Sequence, residues 1–368
     1  MKMRESKLSA GDWVEVRSKE EILRTLDRNG EIDGMPFMPE MFAFCGKRFQ
    51  VFKRAHKTCD TVFPIRSRRV DRAVHLETRC DGQAHGGCQA ACLLFWKEAW
   101  LRPVSGSSGD AAPRVQEHSG DRAVAPTAGC AESDVRGRTQ ASTDHEAPTY
   151  SCQATRLPYA TERLAWWDVR QYVEDYWSGN VGLWRILCGL AFSAYYNISN
   201  SGIGMGPAML WFYNTFYPLW RGTRFPWTAG AIPEGQPTPS ATLNLQPGEL
   251  VRVKLHQEIL RTLNTGRRNR GLGWDAEMVH HCGGTYRVLK RVTKLIDEKT
   301  GKMREMQNPC IVLDSVVCEA RFSRRRLFCP RSIYPYWREI WLERADQQRR
   351  VAAPCAVGRQ TGHVVDKS

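Results

Sequence analysis

The chain has 368 residues, a formal net charge of +14 and 13 cysteines, and 42% of its residues are hydrophobic. That length fits two or three domains, and the hydrophobic content excludes a chain that is disordered throughout. The charge favours anionic partners, either nucleic acid or an acidic membrane surface, since summed basic charge concentrates polyanions around a protein.

The first residues, Met1 to Trp13, contain no apolar core of the signal-peptide kind. The expectation is therefore a cytoplasmic protein, in which paired thiols serve metal or redox chemistry rather than structural disulfides. Trp13-Val14-Glu15-Val16 alternates apolar and polar side chains, which predicts a strand after the Gly11-Asp12 turn. Ser18 followed by Glu21 is a capping-box pattern that opens a short helix from Lys19 to about Leu26. A Gly/Pro-rich passage then leads to Cys45-Gly46 and a strand from Arg48 to Lys53. His56 to Asp60 begins a hairpin with a basic tip, Arg66 to Arg72, and the returning strand, Ala73 to Arg79, reaches Cys80. A glycine-rich loop from Asp81 to Cys88 precedes a closing strand, Leu93 to Val104.

Residues 105–148 are rich in Ser, Gly, Ala, Pro and Asp and read as a disordered linker in which Cys130 is incidental. Region 149–244 is aromatic and apolar. Glu162 to Tyr176 follows a helical pattern, and two apolar stretches, Gly182 to Tyr196 and Ala208 to Trp220, are split by a Gly/Asn/Ser-rich break. Each stretch falls short of the roughly 20 residues of a spanning helix. They suit either helices packed between domains or an interfacial hairpin, so 180–220 is the place for peripheral membrane association. Gly202-Ile-Gly-Met-Gly206 follows no strand and lacks the Lys-Ser/Thr of a phosphate loop. Region 245–345 resumes the strand pattern, with a turn at Asp297-Glu-Lys-Thr-Gly301, and 346–368 is a polar tail.

Regions 1–104 and 245–345 repeat one another. Gly11 to Leu26 matches Gly248 to Leu263, and the match holds ungapped through Cys45/Cys282 and Lys53-Arg54/Lys290-Arg291. Trp96-Lys-Glu-Ala-Trp100 then matches Trp337-Arg-Glu-Ile-Trp341. Little of either copy is left for helix, so each reads as a small, bent antiparallel barrel. Gly11-Asp-x-Val-x-Val-Arg, with the long loop after it, resembles SH3-like barrels, among them the nitrile hydratase β-subunit barrel and KOW modules. The resemblance implies a fold and carries no activity. The fold class expected is mainly β with α segments: two duplicated SH3-like barrels joined by a disordered linker and an aromatic-rich helical segment.

The cysteines follow the repeat. Cys45 matches Cys282, Cys80 matches Cys318 and Cys88 matches Cys329, while Cys59 and Cys310 lie on opposite strands of their hairpins, where a ligand could change strand and keep its target. Each copy thus offers a quartet: Cys45, Cys59, Cys80 and Cys88, then Cys282, Cys310, Cys318 and Cys329. Four converging thiolates suit zinc or an iron–sulfur cluster, one per module. Cys92, Cys152 and His85 are further ligand candidates for the first site. Glu40 and Glu277 recur ahead of the first cysteine of each copy, as general bases or as loop anchors. His56 with Cys59 and Asp60 forms a candidate triad, and His280 and His281 precede Cys282. The function expected is a metal-binding interaction, assembly or electron-transfer factor, with a protein partner open. Two alternatives stand beside it: a nucleic-acid-binding protein with structural zinc, whose basic loops (Arg66 to Arg72, Arg267 to Arg270, Arg321 to Arg326) track phosphates, and an enzyme with its site between the modules.

Overall fold

Two antiparallel sheets, one in region 1–104 and one in region 245–345, organise a chain that is mainly β with helical segments. A computed structural model describes residues 7–62, 66–104, 129–142, 148–201, 204–221, 225–323 and 325–345. The first region contains β1 (Trp13–Val16), β2 (Arg48–Arg54), β3 (Lys57–Asp60), β4 (Arg66–Arg69), β5 (Ala73–Arg79), β6 (Leu93–Lys97) and β7 (Leu101–Pro103). Its main sheet runs β6-β5-β2-β1-β7. Val14 and Val16 are fully buried while Glu15 pairs with Arg48 across the β1–β2 ladder, so strand alternation puts apolar side chains on the core face. Trp96 and Trp100 fill that core with no exposed surface. Truncating either to alanine would cost roughly 3–5 kcal/mol.

Helix α1 (Lys19–Thr25) begins as its sequence dictates. The Ser18 Oγ accepts from Glu21 N at 3.3 Å, and Glu21 Oε2 accepts from Ser18 N at 3.0 Å. In the later region Leu255 replaces the serine, and only the Glu258 half of the box remains, accepting from Leu255 N at 2.8 Å.

The middle of the chain departs from expectation in two places. Residues 105–128 and 143–147 of the expected linker lie outside the described residues, but 129–142 are folded. Helix α2 (Glu132–Gly137) buries Val135, and Cys130 packs with it on the first core; two apolar residues in a polar stretch suffice to dock it. The helix expected from Glu162 also starts late. Residues 162–164 form β8 (Glu162–Leu164), which pairs with β4 in the sheet β8-β4-β3. The reason is tertiary: the Arg68 guanidinium donates to the carbonyls of Pro158 and Thr161, each at 2.8 Å, and holds the chain extended beside β4. Before it comes α3 (Gln153–Ala160), and after it α4 (Arg170–Trp177).

Helices α5 (Leu183–Ser199) and α6 (Gly206–Arg221) form a hairpin, split where the sequence breaks. No helix among the described residues is long and apolar enough to cross a membrane. α5 rests on Phe328 through Gly189, where any β-carbon would lie 2.3 Å from the phenyl ring. The outer face is apolar: Trp184, Leu187, Trp211, Phe212 and Phe216 are all exposed.

The later region contains β9 (Leu250–Val253), β10 (Thr285–Ile296), β11 (Met303–Leu313) and β12 (Leu342–Arg344), in the order β11-β10-β9-β12. Its core holds Val251, Val253, Trp337 and Trp341, all fully buried. Strands β10 and β11 are 12 and 11 residues long, an arm of about 40 Å at 3.3 Å per residue. Its far end reaches the strand before α3, where Tyr150 N donates to Gly301 O at 2.8 Å.

Candidate metal centre

The loop from Cys80 to Cys92 closes the β5–β6 hairpin and folds back on itself. Cys80 N donates to Cys92 O at 2.9 Å, Gly87 N to Gly82 O at 2.9 Å, and Cys88 N to His85 O at 3.2 Å. Gly82 makes this possible. It has a φ of +74°, and a β-carbon there would sit 1.9 Å from the Cys88 carbonyl oxygen. The fold-back aims His85, Cys88 and Cys92 at the space below Cys80.

A fourth thiol arrives from elsewhere in the chain. The buried Gln153 amide takes both backbone groups of Phe95, accepting from its N–H at 2.8 Å and donating to its carbonyl at 2.9 Å. That bolts the start of α3 to β6 and sets Cys152, just before the helix, beside the loop. The arm of the later region supplies the lid. Ile296 N donates to Cys88 Sγ at 3.4 Å, Thr293 N to Gln89 Oε1 at 2.7 Å, and Lys294 Nζ to Gly86 O at 3.0 Å. Cys80, His85, Cys88, Cys92, Cys152 and Ile296 line the resulting cavity of about 30 Å³, room for one water-sized or ion-sized occupant.

Two of the lining residues, Cys80 and His85, belong to a group arranged for ligation. Ligand atoms of Glu40, Cys80 and His85 all lie within 4.8 Å of one another, the one such group of three among the described residues. His85 Nε2 lies 3.1 Å from the Ser151 carbonyl, which assigns the proton to Nε2 and leaves Nδ1 a lone pair. Nδ1 stands 4.0 Å from Glu40 Oε1. Neither carboxylate oxygen of Glu40, both buried, meets an N–H or O–H donor; the Cys80 thiol is its hydrogen-bond partner, a weak donor for a buried carboxylate. Burial lowers the His85 pKa against the pull of Glu40. Burial, then Glu40, pushes the Cys80 thiol up, and burial lifts Cys92 to about 12. These shifts favour the protonated thiols of Cys80 and Cys92 and the neutral His85 imidazole; a bound cation would displace the Cys80 proton.

The other predicted residues are regrouped. Quartets assembled copy by copy do not form. Cys45 and Cys282 each end a short 3₁₀ turn and pack on their own core, and burial lifts the Cys282 thiol to about 12. Cys310 is fully buried and takes an Arg338 Nη1 donor at 3.4 Å. Cys59 does not share the Cys80 cavity; it packs with Cys318 and Cys329 of the later region. The positions diverge because β3–β4 pairs with β8 in a sheet of its own, whereas the later hairpin stays one continuous arm, β10–β11, bulged at two places. The signal for the observed site was the local spacing of Cys80, His85, Cys88 and Cys92, which the comparison between copies obscured.

Glu277 is a loop anchor: its carboxylate accepts from Arg321 N at 2.8 Å, Phe322 N at 2.5 Å and Ser323 Oγ at 3.2 Å. Glu40, its counterpart, faces His85 instead. His56 is not part of a Cys59–Asp60 group, since its Nε2 lies 3.2 Å from Asp175 Oδ1. Burial lowers His280 and His281 to about 4, which keeps both neutral near pH 7. No protein-family model, curated protein or solved structure matches the chain.

Proposed function

We propose that this is a metal-binding protein whose centre lies in the Cys80–Cys92 loop, with a thiophilic divalent ion such as zinc held by Cys80, His85 and Glu40. The observation that carries the reading is the convergence of ligand atoms from Glu40, Cys80 and His85 within 4.8 Å of one another, with both Glu40 carboxylate oxygens buried and meeting no N–H or O–H donor. Ligation by Nδ1 while Nε2 donates to a carbonyl is the usual way a protein orients a ligating histidine. The neighbouring thiols of Cys88, Cys92 and Cys152 are alternative ligands for the same ion; an iron–sulfur cluster on the four cysteines would need the cavity of about 30 Å³ to widen. The lid from the later region fits an assembly role, because its hydrogen bonds close over the loop that would hold the ion.

Metal and acid-labile sulfide analysis of anaerobically purified protein tests this. About one zinc per chain, lost in Cys80→Ser and His85→Ala but kept in Cys282→Ser and Cys310→Ser, is the expected result. Iron with equimolar sulfide would assign the cluster, and protein free of both would refute the reading.

Two further parts of the reading have their own support. The SH3-like duplication rests on matched hydrogen bonds, Gly11 N to Val51 O at 2.9 Å and Gly248 N to Val288 O at 2.8 Å, and on matched β1–β2 and β9–β10 registers. Docking of α5–α6 on an anionic bilayer rests on their exposed Trp and Phe residues and on the absence of any Asp or Glu between Asp175 and Glu234.

A further inference from the structure

We infer that Cys59 and Cys329 form a thiol–disulfide site that can covalently join the two repeated regions, at a place separate from the metal centre. Cys59 lies in β3 of the first region, and Cys329 belongs to the segment after β11 of the later one. The two are 270 positions apart, yet Cys59 N donates to Cys329 Sγ at 3.1 Å, and the two thiols hydrogen-bond each other. Ala320 shares their buried cluster, and Cys318 and Ile333 pack against it.

The surroundings favour a thiolate. Arg331, almost wholly buried, donates to Cys59 O at 3.2 Å and to Glu298 at 2.7 Å. Arg326 adds a second guanidinium, paired with Asp275. Lys53 makes no carboxylate ion pair among the described residues; its ammonium meets Ser332 Oγ at 3.2 Å. Cys329 is the acidic group that most supports its charge against burial. A half-buried ammonium without a carboxylate calls for another anion, and the thiol pair is placed to supply one. The bond from Cys329, then Arg331 and Arg326, lower Cys59 to about 6, against about 8.5 for a free thiol. The pair therefore holds one proton between its two sulfurs near neutral pH.

Burial restricts the oxidant to a small molecule, and hydrogen peroxide is the class that fits. The Cys59 thiolate attacks one peroxide oxygen, the O–O bond breaks, and hydroxide leaves and is protonated by solvent, giving Cys59 sulfenic acid and water. Cys329 sulfur then attacks the Cys59 sulfur. The S–O bond breaks as the S–S bond forms, and the departing hydroxide takes the Cys329 proton as a second water. Two electrons pass from the thiol pair to the peroxide.

The test uses the reduced full-length chain, exposed to hydrogen peroxide, quenched with an alkylating agent and mapped by mass spectrometry without reduction. A peptide linked through Cys59 and Cys329 is expected, and it should persist in Cys318→Ala and in the metal-free Cys80→Ser protein. The pH midpoint for Cys59 alkylation should rise from about 6 towards about 8.5 in Cys329→Ala, which removes the largest cause of the lowering. No linked peptide, or a link through Cys318, would overturn the inference. So would protection of Cys59 and Cys329 from alkylation until a chelator is added, which would make them metal ligands; because this arm is also read in Cys80→Ser, it stands apart from the fate of the Cys80 centre.

Discussion

Replacing Asp175 with asparagine probes the ion pair that fixes the strand carrying Cys59. Asp175 and Lys57 are both essentially inaccessible, with Lys57 Nζ 2.5 Å from Asp175 Oδ2 and His56 Nε2 3.2 Å from Oδ1. Lys57 is also packed against the rings of Tyr172 and Phe328 at 5.1 and 5.8 Å, so its charge has no route to water. Burial lowers the Lys57 pKa, and Asp175 is the main group opposing that. Removing the carboxylate strands a buried ammonium, which typically costs about 3–5 kcal/mol. For a chain of this size that is a fall in Tm on the order of 10 °C. Calorimetry or a dye-monitored melt would read it. The double variant Lys57→Met/Asp175→Asn should recover most of the loss, because no uncompensated charge remains. A single variant melting within about 2 °C of wild type, or a double variant no better than the single, would refute the reasoning.

Gly82→Ala should abolish metal retention while leaving the later region folded, because its β-carbon would collide with the Cys88 carbonyl; metal analysis beside far-UV circular dichroism checks it. Glu40→Gln should weaken metal affinity by about 10–100-fold, the usual range for a group that supports or completes a ligand set, read by competition with a chromophoric chelator. Glu277 gives a pH signature. Burial and then Asp275 raise its pKa from 4.5 to about 7, so its contribution to stability is complete below pH 4.5 and is lost as pH rises to 7. The stability difference between wild type and Glu277→Gln should therefore shrink by about 3 kcal/mol across that window, in urea titrations at several pH values; a flat difference would contradict it. Co-sedimentation with vesicles containing anionic lipid should fall in Trp184→Ser/Trp211→Ser/Phe212→Ser, and unchanged binding would remove the α5–α6 face from consideration.

Local order was readable wherever the causes are local. Ser18 and Glu21 announced α1, the Val14/Val16 alternation announced β1, and the glycine-rich break near residue 200 divided α5 from α6. The helix expected across Glu162 to Tyr176 failed in its first part, because the Arg68 guanidinium, nearly a hundred residues earlier, offered that segment a strand partner. Cys130 read as a passenger because composition says nothing about the one or two apolar residues that a neighbouring core can accept. Of the candidate site, Cys80 and Cys88 were named on the strength of the repeat and His85 as a substitute ligand. Glu40 reads in the sequence as a base or a loop anchor, and its tie to His85 is set only by the fold.

What the amino-acid sequence determined by itself is the repeated text, its strand and cap patterns, and a supply of thiols fitted to soft metals or redox chemistry. Which thiols meet was decided only in three dimensions. Aligned positions fix a residue's place along its own sheet, whereas the partners of Cys59, Cys152 and Cys329 depend on how β3–β4, α3 and the long arm pack against one another, and those contacts join residues far apart in the chain.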